Sequence, residues 1–541
     1  MPSEKVIETD VLVVGGGMAG LFAAIKAKEQ GVDVTLVDKG YAGKSGQTPF
    51  VGSFVVFNSE WGDDLDAWVE QISRYGEYVN NRVWTELTFK ESYARYQDLV
   101  SWGVEFNKME DGDLFRTGMR FGPCRAALTK EKIFPELMRK EAVKRGIKIM
   151  DRVMVTDLLK QDSRIVGATG FPMGSYDTYI FKAGAVVLCT GAGGFKPWGW
   201  PIQNLTFDGD AMAYRAGSEI TGMEFPDTHG MRAENPAYKN FASTVRVGRT
   251  HRPSKMYNAE GNEVEGVGTL FLESEFEAHA GRAPVYRLTD EGNKSYMLGG
   301  SSSGMSVHKA EGIWPADIDC STSLLGLYAA GDSLGNMQMG AAYSAIGNGL
   351  GGSAVTGAIA GVAAAYYTKS AGKIELDPQE TEKAKSIAYA PLERKGGFSP
   401  RWVTQVLQNT VMPYYMLYIK KEDRMQAGLT IVEFLRDHIV PKLFARDPHD
   451  MRLALETKNM VLLAEMRFRA SLFRKESRGC HFREDYPYRD DQNWLAWVCL
   501  KEENGEMKTI KKPIPKEWWP DLSKPYEELH PWRYPGEHLP K

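Results

Sequence analysis

The chain has 541 residues, and 43% of them are hydrophobic, enough for two or three packed units around a large core. Its 66 lysines and arginines against 70 aspartates and glutamates give a net charge of −4, which excludes bulk charge as a reason to bind nucleic acid or an anionic membrane. The five cysteines are scattered without a C-x-x-C pair. Their spacing predicts no metal or iron–sulfur site and favours a reduced, cytoplasmic environment.

The first predicted elements form a strand–helix–strand unit. Residues 9–14 (TDVLVV) and 32–37 (VDVTLV) are apolar runs typical of strands, and residues 18–29 have helical character. Asp38 follows the second strand, where its carboxylate can accept a hydrogen bond from a ribose hydroxyl. This acid argues against a 2′-phosphorylated cofactor.

Glycines join the first strand to the helix. Gly15, Gly17 and Gly20 have the G-x-G-x-x-G spacing, which lets the chain turn tightly and bring backbone N–H groups to a pyrophosphate. The helix N-terminus adds partial positive charge there. The alternative is a chance cluster of glycines, which the complete strand–helix–strand–acid context disfavours.

The middle of the chain continues this domain. Residues 63–102 have helical spacing, and Thr129 opens a further helix that Gly146 ends. Strand-like runs occupy residues 147–159, 164–171, 179–182 and 185–189. The polar, irregular residues 225–298 that come later predict an inserted lobe rather than sheet core.

A second glycine-rich element favours FAD over NAD. An apolar strand ends at Gly331-Asp332 in the sequence GLYAAGD, and residues 347–353 (GNGLGGS) precede a buried helix. N–H groups at that helix start can face a flavin and stabilise charge on the reduced ring. Glycines with a purely structural role would give a similar pattern.

The C-terminal third is helical in pattern. Ser399 and Pro400 are typical of an N-cap and first helical residue, and residues 451–475 form a long amphipathic run. The Pro- and Trp-rich residues 511–541 are expected to wrap over a surface of this chain or of a partner. The apolar residues 353–367 are too short and too rich in glycine and alanine to span a bilayer, so no transmembrane segment is predicted.

Four motifs resemble those of the succinate dehydrogenase/fumarate reductase flavoprotein family, which also contains L-aspartate oxidase and the adenylylsulfate reductase α subunit. They are VVGGGMAGLFAA near the N-terminus, FDGDAMAYRAG at 207–217, GLYAAGD at 326–332 and ESRGCHFREDYPYRDDQNW at 476–494. The resemblance implies an α/β fold, in which a doubly wound Rossmann-like FAD domain has an inserted α+β capping domain and a C-terminal helical domain. It also implies an FAD-dependent oxidoreductase with an iron–sulfur (ferredoxin-like) partner subunit or redox carrier.

The resemblance divides the chain as follows. The FAD domain takes residues 1–224, with a helical insertion at about 60–128, and 299–370; the capping domain takes 225–298, the helical domain 371–495, and a wrapping tail 496–541.

The chain departs from the family pattern at the flavin and at the substrate. Several members attach FAD to a histidine in an R-S-H-T sequence, but here Gly46 stands at that position, so the FAD is predicted to be non-covalent. Dicarboxylate-handling members have an arginine clamp in an N-R-L-G-G run, whereas residues 341–348 (AAYSAIGN) contain no arginine. Residues 244–252 (TVRVGRTHR) replace the R-G-E-G-G segment. These departures disfavour succinate and fumarate and make adenylylsulfate reductase-like relatives the nearer comparison.

Hydride transfer with a flavin needs a neighbouring acid or base and an anion clamp. His308 is the first candidate, because it lies in a loop of small residues where the family's segment approaches the flavin. A histidine packed between lobes is the alternative. Arg249, His251 and Arg252 lie near the family's acid-bearing segment, with a solvated basic face as their alternative.

The predicted cofactor contacts are Gly15, Gly17, Met18, Ala19, Gly20, Asp38, Lys39, Ser45, Gly46, Gln47, Val153, Thr190, Gly191, Asp208, Gly331, Asp332, Asn348, Gly351 and Ser353. The predicted function is hydride exchange between a small anionic substrate and flavin N5, with electrons passing to or from a partner. Two alternatives are an electron-transfer flavoprotein subunit without its own substrate and an oxygen-using oxidase of the L-aspartate oxidase kind.

Overall fold

The computed structural model describes residues 3–118, 122–131, 133–196, 202–227, 231–233, 255–264, 272–288, 292–298 and 310–538. The helices are α1 (Met18–Glu29), α2 (Leu65–Tyr75), α3 (Arg82–Ser101), α4 (Phe134–Lys144), α5 (Asp208–Ala216), α6 (Glu273–His279), α7 (Asn348–Ser370), α8 (Pro378–Glu393), α9 (Pro400–Val411), α10 (Tyr414–Leu417), α11 (Glu422–Phe434), α12 (Pro448–Phe473), α13 (Asp491–Trp494) and α14 (Tyr526–Leu529). The strands are β1 (Glu4–Val14), β2 (Val34–Asp38), β3 (Ser53–Val55), β4 (Arg116–Gly118), β5 (Arg125–Leu128), β6 (Lys148–Asp151), β7 (Val153–Gln161), β8 (Arg164–Pro172), β9 (Thr178–Leu188), β10 (Ile220–Thr221), β11 (Met231–Ala233), β12 (Met256–Tyr257), β13 (Val285–Leu288), β14 (Lys294–Leu298), β15 (Gly312–Ile313), β16 (Leu327–Ala329), β17 (Ile419–Lys420), β18 (Phe482–Arg483), β19 (Ala496–Glu503) and β20 (Glu506–Pro513).

The main sheet has the strand order β6-β2-β1-β9-β8-β7, and β16 pairs with β9. The pairs β6–β2, β2–β1, β1–β9 and β9–β16 are parallel, whereas β7 and β8 are antiparallel to their neighbours. β2 is buried along its whole length, as expected for a parallel strand covered on both faces. The predicted α/β fold with a Rossmann-like core is therefore confirmed.

Three element predictions need correction. The run 147–159 is two strands, because Arg152 adopts a left-handed φ of 56° and its N–H donates to the Gly40 carbonyl, which separates β6 from β7. The runs 179–182 and 185–189 are one strand, β9, in which Gly184 gives room to the Asp10 carbonyl of β1. The helix predicted from Thr129 begins only at Phe134, because the pairing of β5 continues past its end: the Thr129 N–H donates to the Gly52 carbonyl and the Lys130 N–H to the Glu105 carbonyl.

The C-terminal third contains helices α8, α9, α11 and α12. The predicted start of α9 at Pro400 after Ser399 is confirmed. The segment predicted as a wrapping tail begins as a hairpin of β19 and β20, which joins β10 and β15 in a second sheet. Its last part lies on this chain's own surface, where Arg489 donates to the Trp532 carbonyl at 2.8 Å and the Tyr534 hydroxyl donates to the Gly479 carbonyl at 2.8 Å.

Helix α7 is longer than the predicted 353–367. By length and composition it is long and apolar enough to cross a membrane, so the predicted helix limits were too narrow and helix length does not exclude a span. However, 72% of its most apolar window is buried inside the protein, which is the arrangement of a core helix.

Helices α1 and α7 pack backbone against backbone. A Cβ atom added at Gly357 would stand 2.3 Å from the Ala19 carbonyl oxygen, and one added at Gly361 would stand 2.2 Å from the Ala23 carbonyl oxygen. These glycines are one turn apart on α7, and both contacts are far inside van der Waals distance. Only glycine at both positions allows the two helices to lie this close.

The variant Gly361→Ala is expected to lower the apparent melting temperature, because the new methyl group must push α7 away from α1 at an overpacking cost of about 1–3 kcal/mol. Thermal melts followed by tryptophan fluorescence measure this change. Gly396→Ala is the matched control, since a Cβ atom there meets nothing within 4 Å. Equal melting temperatures for the two variants would contradict the close helix contact.

Candidate functional site

The loop between β1 and α1 requires its glycines. Gly15 has a left-handed φ of 107°, and a Cβ atom on it would lie 2.2 Å from the Cys189 carbonyl oxygen. A Cβ atom on Gly20 would lie 1.8 Å from the Gly15 carbonyl oxygen. Gly17 precedes α1 and has no side chain of its own, so a ligand can approach the backbone of this helix start closely.

The predicted residues Ser45, Gly46 and Gln47 lie in the loop that leads to Thr48, beside the start of α1. The Thr48 hydroxyl oxygen accepts from the Met18 N–H at 3.0 Å, and Ser45 Oγ accepts from the Tyr41 N–H at 2.6 Å. The loop is thereby held across the start of α1, where the first predicted contacts also lie.

Asp38 stands at the end of β2 beside the glycine loop. Its two carboxylate oxygens accept from the Gly16 N–H at 2.7 Å and from the Gly40 N–H at 2.6 Å. Burial raises the pKa of Asp38, and these two hydrogen bonds partly oppose the rise. Each oxygen retains a second lone pair, which can accept from a ribose hydroxyl. Val153, another predicted contact, is the first residue of β7. It directly follows Arg152, whose N–H donates to the Gly40 carbonyl.

Lys39 and Asp208, both predicted as cofactor contacts, are engaged with protein groups. Lys39 Nζ lies 2.6 Å from an Asp208 oxygen and 2.7 Å from a Glu456 oxygen, and Asn459 donates to Asp208 at 2.9 Å. Burial alone would raise the pKa of Glu456, but Lys39, Lys196 and Arg452 hold it at about 2. These ion pairs fasten α12 to the residue directly after Asp38, beside the glycine loop.

The sequence after β9 meets the Gly331-Asp332 turn. Thr190 Oγ1 lies 3.1 Å from Ser333 Oγ and accepts from the Gly209 N–H at 3.0 Å, so the predicted Thr190-Gly191 pair lies against this turn. Gly331 has a left-handed φ of 69°, and a Cβ atom on it would stand 2.8 Å from Ala19 Cβ and 3.4 Å from Ser353 Oγ. The structure therefore brings Ala19, Gly331 and Ser353 together.

The start of α7 closes the other end of the site. Gly347, with a φ of 80°, precedes the predicted residues Asn348 and Gly351, and its carbonyl accepts from the Val55 N–H at 3.0 Å. A Cβ atom on Gly351 would lie 2.4 Å from Val55 Cγ1. The Tyr343 hydroxyl accepts from the Gly349 N–H at 3.5 Å, and burial raises the pKa of Tyr343 to about 12.

Asp210 is a candidate site residue that the sequence does not single out. It is 1% exposed, and neither of its carboxylate oxygens has a hydrogen-bond partner among the described residues. Burial raises its pKa well above the usual range, and the charges of Glu311, Asp208 and Asp332 add to the rise. The neutral carboxyl can donate a hydrogen bond to a hydroxyl-rich ligand, so it fits the sugar part of a dinucleotide. Asp210 belongs to the motif FDGDAMAYRAG, but the motif by itself points to Asp208 as the cofactor contact.

The four predicted catalytic residues cannot be placed. His308, Arg249, His251 and Arg252 lie outside the described residues.

Two family models match the chain. One, an FAD binding domain, matches residues 10–232, and the other, the C-terminal part of the fumarate reductase flavoprotein, matches residues 405–525. The chain belongs to the succinate dehydrogenase/fumarate reductase flavoprotein family. It is an FAD-dependent oxidoreductase, and the predicted cofactor is confirmed.

Curated relatives and solved structures of this family match most of the chain. A subunit of the fumarate reductase (CoM/CoB) from Methanothermobacter marburgensis is 26% identical, over 89% of this chain and 95% of the relative. The structure of Mycobacterium smegmatis Sdh1 with UQ1 is 25% identical, with a TM-score of 0.80 over 94% of this chain and 95% of that one. Adenylylsulfate reductase from Archaeoglobus fulgidus, at 21% identity, has the same fold, with a TM-score of 0.79 over 95% and 97% of the two chains.

In the flavin-free state, the variant Asp210→Asn is expected to lose less free energy of unfolding than the flavin-free parent protein as the pH rises. The folded protein keeps a proton on Asp210 that the unfolded chain releases. Its stabilising contribution is complete below the unfolded pKa and is lost as the pH rises toward the folded one. Asparagine does not titrate there.

Thermal melts between about pH 5 and about pH 8 test this linkage. The advantage of the asparagine variant over the parent should grow with pH. Asp162→Asn, at an exposed residue, is the control and should follow the parent. A parallel pH dependence for Asp210→Asn would mean that Asp210 is already ionised in the folded protein.

Proposed function

We infer that the protein is a dehydrogenase or reductase that exchanges a hydride between a small anionic substrate and flavin N5. Bound FAD would supply a two-electron redox centre. The residues that would hold it are the glycine loop, Asp38, Asp210, the Gly331-Asp332 turn and the start of α7.

The start of α7 is the observation that carries this proposal. Its backbone N–H groups lie at the positive end of a helix of 23 residues. They favour the negative charge that develops on a reduced flavin or that an anionic substrate brings. The hydroxyl of Tyr343 lies against these groups. Residues 341–348 contain no arginine that could bind a carboxylate there. We therefore propose that the substrate is not a C4 dicarboxylate.

The proton and the anionic group of the substrate are assigned to the capping lobe. His308 is proposed as acid or base, and Arg249, His251 and Arg252 as candidates to hold the anion. These roles come from the sequence alone, because the four residues lie outside the described part of the chain.

Electrons are proposed to leave to, or arrive from, a separate iron–sulfur subunit or redox carrier. Among the described residues no group of three or more histidine, cysteine or acidic side chains could hold a metal ion, and the five buried cysteines form no disulfide bond. One curated relative is itself named as a subunit of a fumarate reductase. Cysteines that stay reduced also support a cytoplasmic location.

Anaerobic assays of the FAD-loaded chain with reduced viologen and a panel of anionic substrates test the proposed reaction. We expect viologen oxidation that depends on one of these substrates and is absent with fumarate. Flavin reduction or oxidation that occurs only with a protein partner would instead identify an electron-transfer subunit. Peroxide release under air with a reduced substrate would identify an oxidase.

The FAD is proposed to be non-covalent, because Gly46 has no side chain to form a bond. Gly46 also has a left-handed φ of 75°, a conformation that a histidine at this position would adopt only with strain. Acid precipitation should therefore release all flavin absorbance into the supernatant. Yellow colour that stays with the protein pellet would contradict this.

A further inference from the structure

A small cavity lies where α12 meets the ends of α9 and α10 and the segment before the capping lobe. Arg467 and Ser471 of α12, Lys420 and Met223 line it, together with further apolar side chains. The space for the centre of a water-sized sphere is about 10 Å³, which is room for about one water molecule or a monatomic ion.

Arg467 has unused hydrogen-bond donors in this cavity. The residue is 4% exposed, and its Nη2 donates to Glu311 Oε2 at 3.0 Å. Nε and Nη1 are buried and have no hydrogen-bond partner among the described residues. A buried guanidinium with two unmet N–H groups is costly, and a bound acceptor in the adjoining space would remove that cost.

The other polar groups of the cavity do not meet this need. Lys420 Nζ is engaged with the Glu224 carbonyl at 2.6 Å and His481 Nδ1 at 2.9 Å. None of the described side chains that line the cavity is a carboxylate, and Ser471 contributes its hydroxyl. The remaining walls are apolar, three of them methionines.

We propose that this cavity binds a monatomic halide between Nε and Nη1 of Arg467. A water molecule there would accept from the guanidinium and could donate one hydrogen to the Ser471 hydroxyl, but its other hydrogen would point at apolar walls. A halide only accepts, and it meets polarisable methionine sulfur atoms on the other side. Phosphate and sulfate are too large for the space.

The charges around the site are of both signs. Glu311 and Asp227 act on Arg467, and Lys420 lies beside them. Burial lowers the pKa of Lys420, and the charge of Arg467 lowers it further, whereas Glu224 raises it. A negative ion in the cavity would favour the ammonium form of Lys420. The other titratable groups that face Lys420 are Cys480, His481 and Arg483.

Crystals of the FAD-loaded protein grown in sodium bromide test the site directly. We expect an anomalous bromide peak within hydrogen-bonding distance of Nε and Nη1 of Arg467. An ordered water without anomalous signal at that place, or an empty cavity, would overturn the proposal.

A solution experiment uses the melting temperature of the FAD-loaded protein in sodium chloride and in sodium gluconate at equal ionic strength. Selective binding to the folded state should raise it in chloride by about 1–3 °C. Arg467→Lys keeps a positive charge beside Glu311 but lacks the donor pair, so this increment should vanish.

Arg469→Lys is the matched control, because Arg469 lies two residues further along α12 and pairs with Glu433 and Glu465 outside the cavity. It should keep the chloride increment. A chloride increment that survives in Arg467→Lys, or that is missing in the parent protein, would contradict binding at the guanidinium.

Discussion

The close contact between α1 and α7 is the constraint on which the site depends. Gly357 and Gly361 let the two helices touch through their backbones, and Gly331 fits against Ala19 at the same junction. In the proposed arrangement, the start of α1 would bind the pyrophosphate, and the start of α7 would bind the far end of the same ligand. Because the two helices are fixed to each other and to the parallel sheet, the positions of their N-termini are fixed as well. A larger side chain at this junction would force the two helices apart.

Buried charges connect the C-terminal third to this core. Lys39 and Glu456 hold α12 beside Asp38 and the glycine loop, and Arg467 and Glu311 hold it near Gly193, whose N–H donates to Glu311 at 2.8 Å. Such pairs add little net stability, but removing one partner costs about 3–5 kcal/mol. The main effect of these pairs is therefore to fix where the helices pack against the core. In this way the helical part is connected to the residues that are proposed to hold the flavin.

The sequence was sufficient for the outline of the fold and for the glycine loop and Asp38, which the structure brings together. The glycine spacing and the acid at the end of β2 have local physical causes, so both could be predicted without knowledge of the residues that pack against them. Asp208 and Asp210 show the limit: both are acids of one motif, and only the packing reveals that Asp208 is paired with Lys39 while Asp210 has no partner among the described residues. Arg152 likewise breaks a strand through a bond to a residue more than a hundred positions away, which no local pattern contains.

The account rests on one ligand that spans the starts of α1 and α7. Calorimetric titration of the flavin-free protein with FAD and, separately, with NAD tests this most directly. The account predicts that FAD binds at one molecule per chain and that NAD does not compete with it. Binding of NAD as tight as that of FAD, or no binding of FAD, would contradict it.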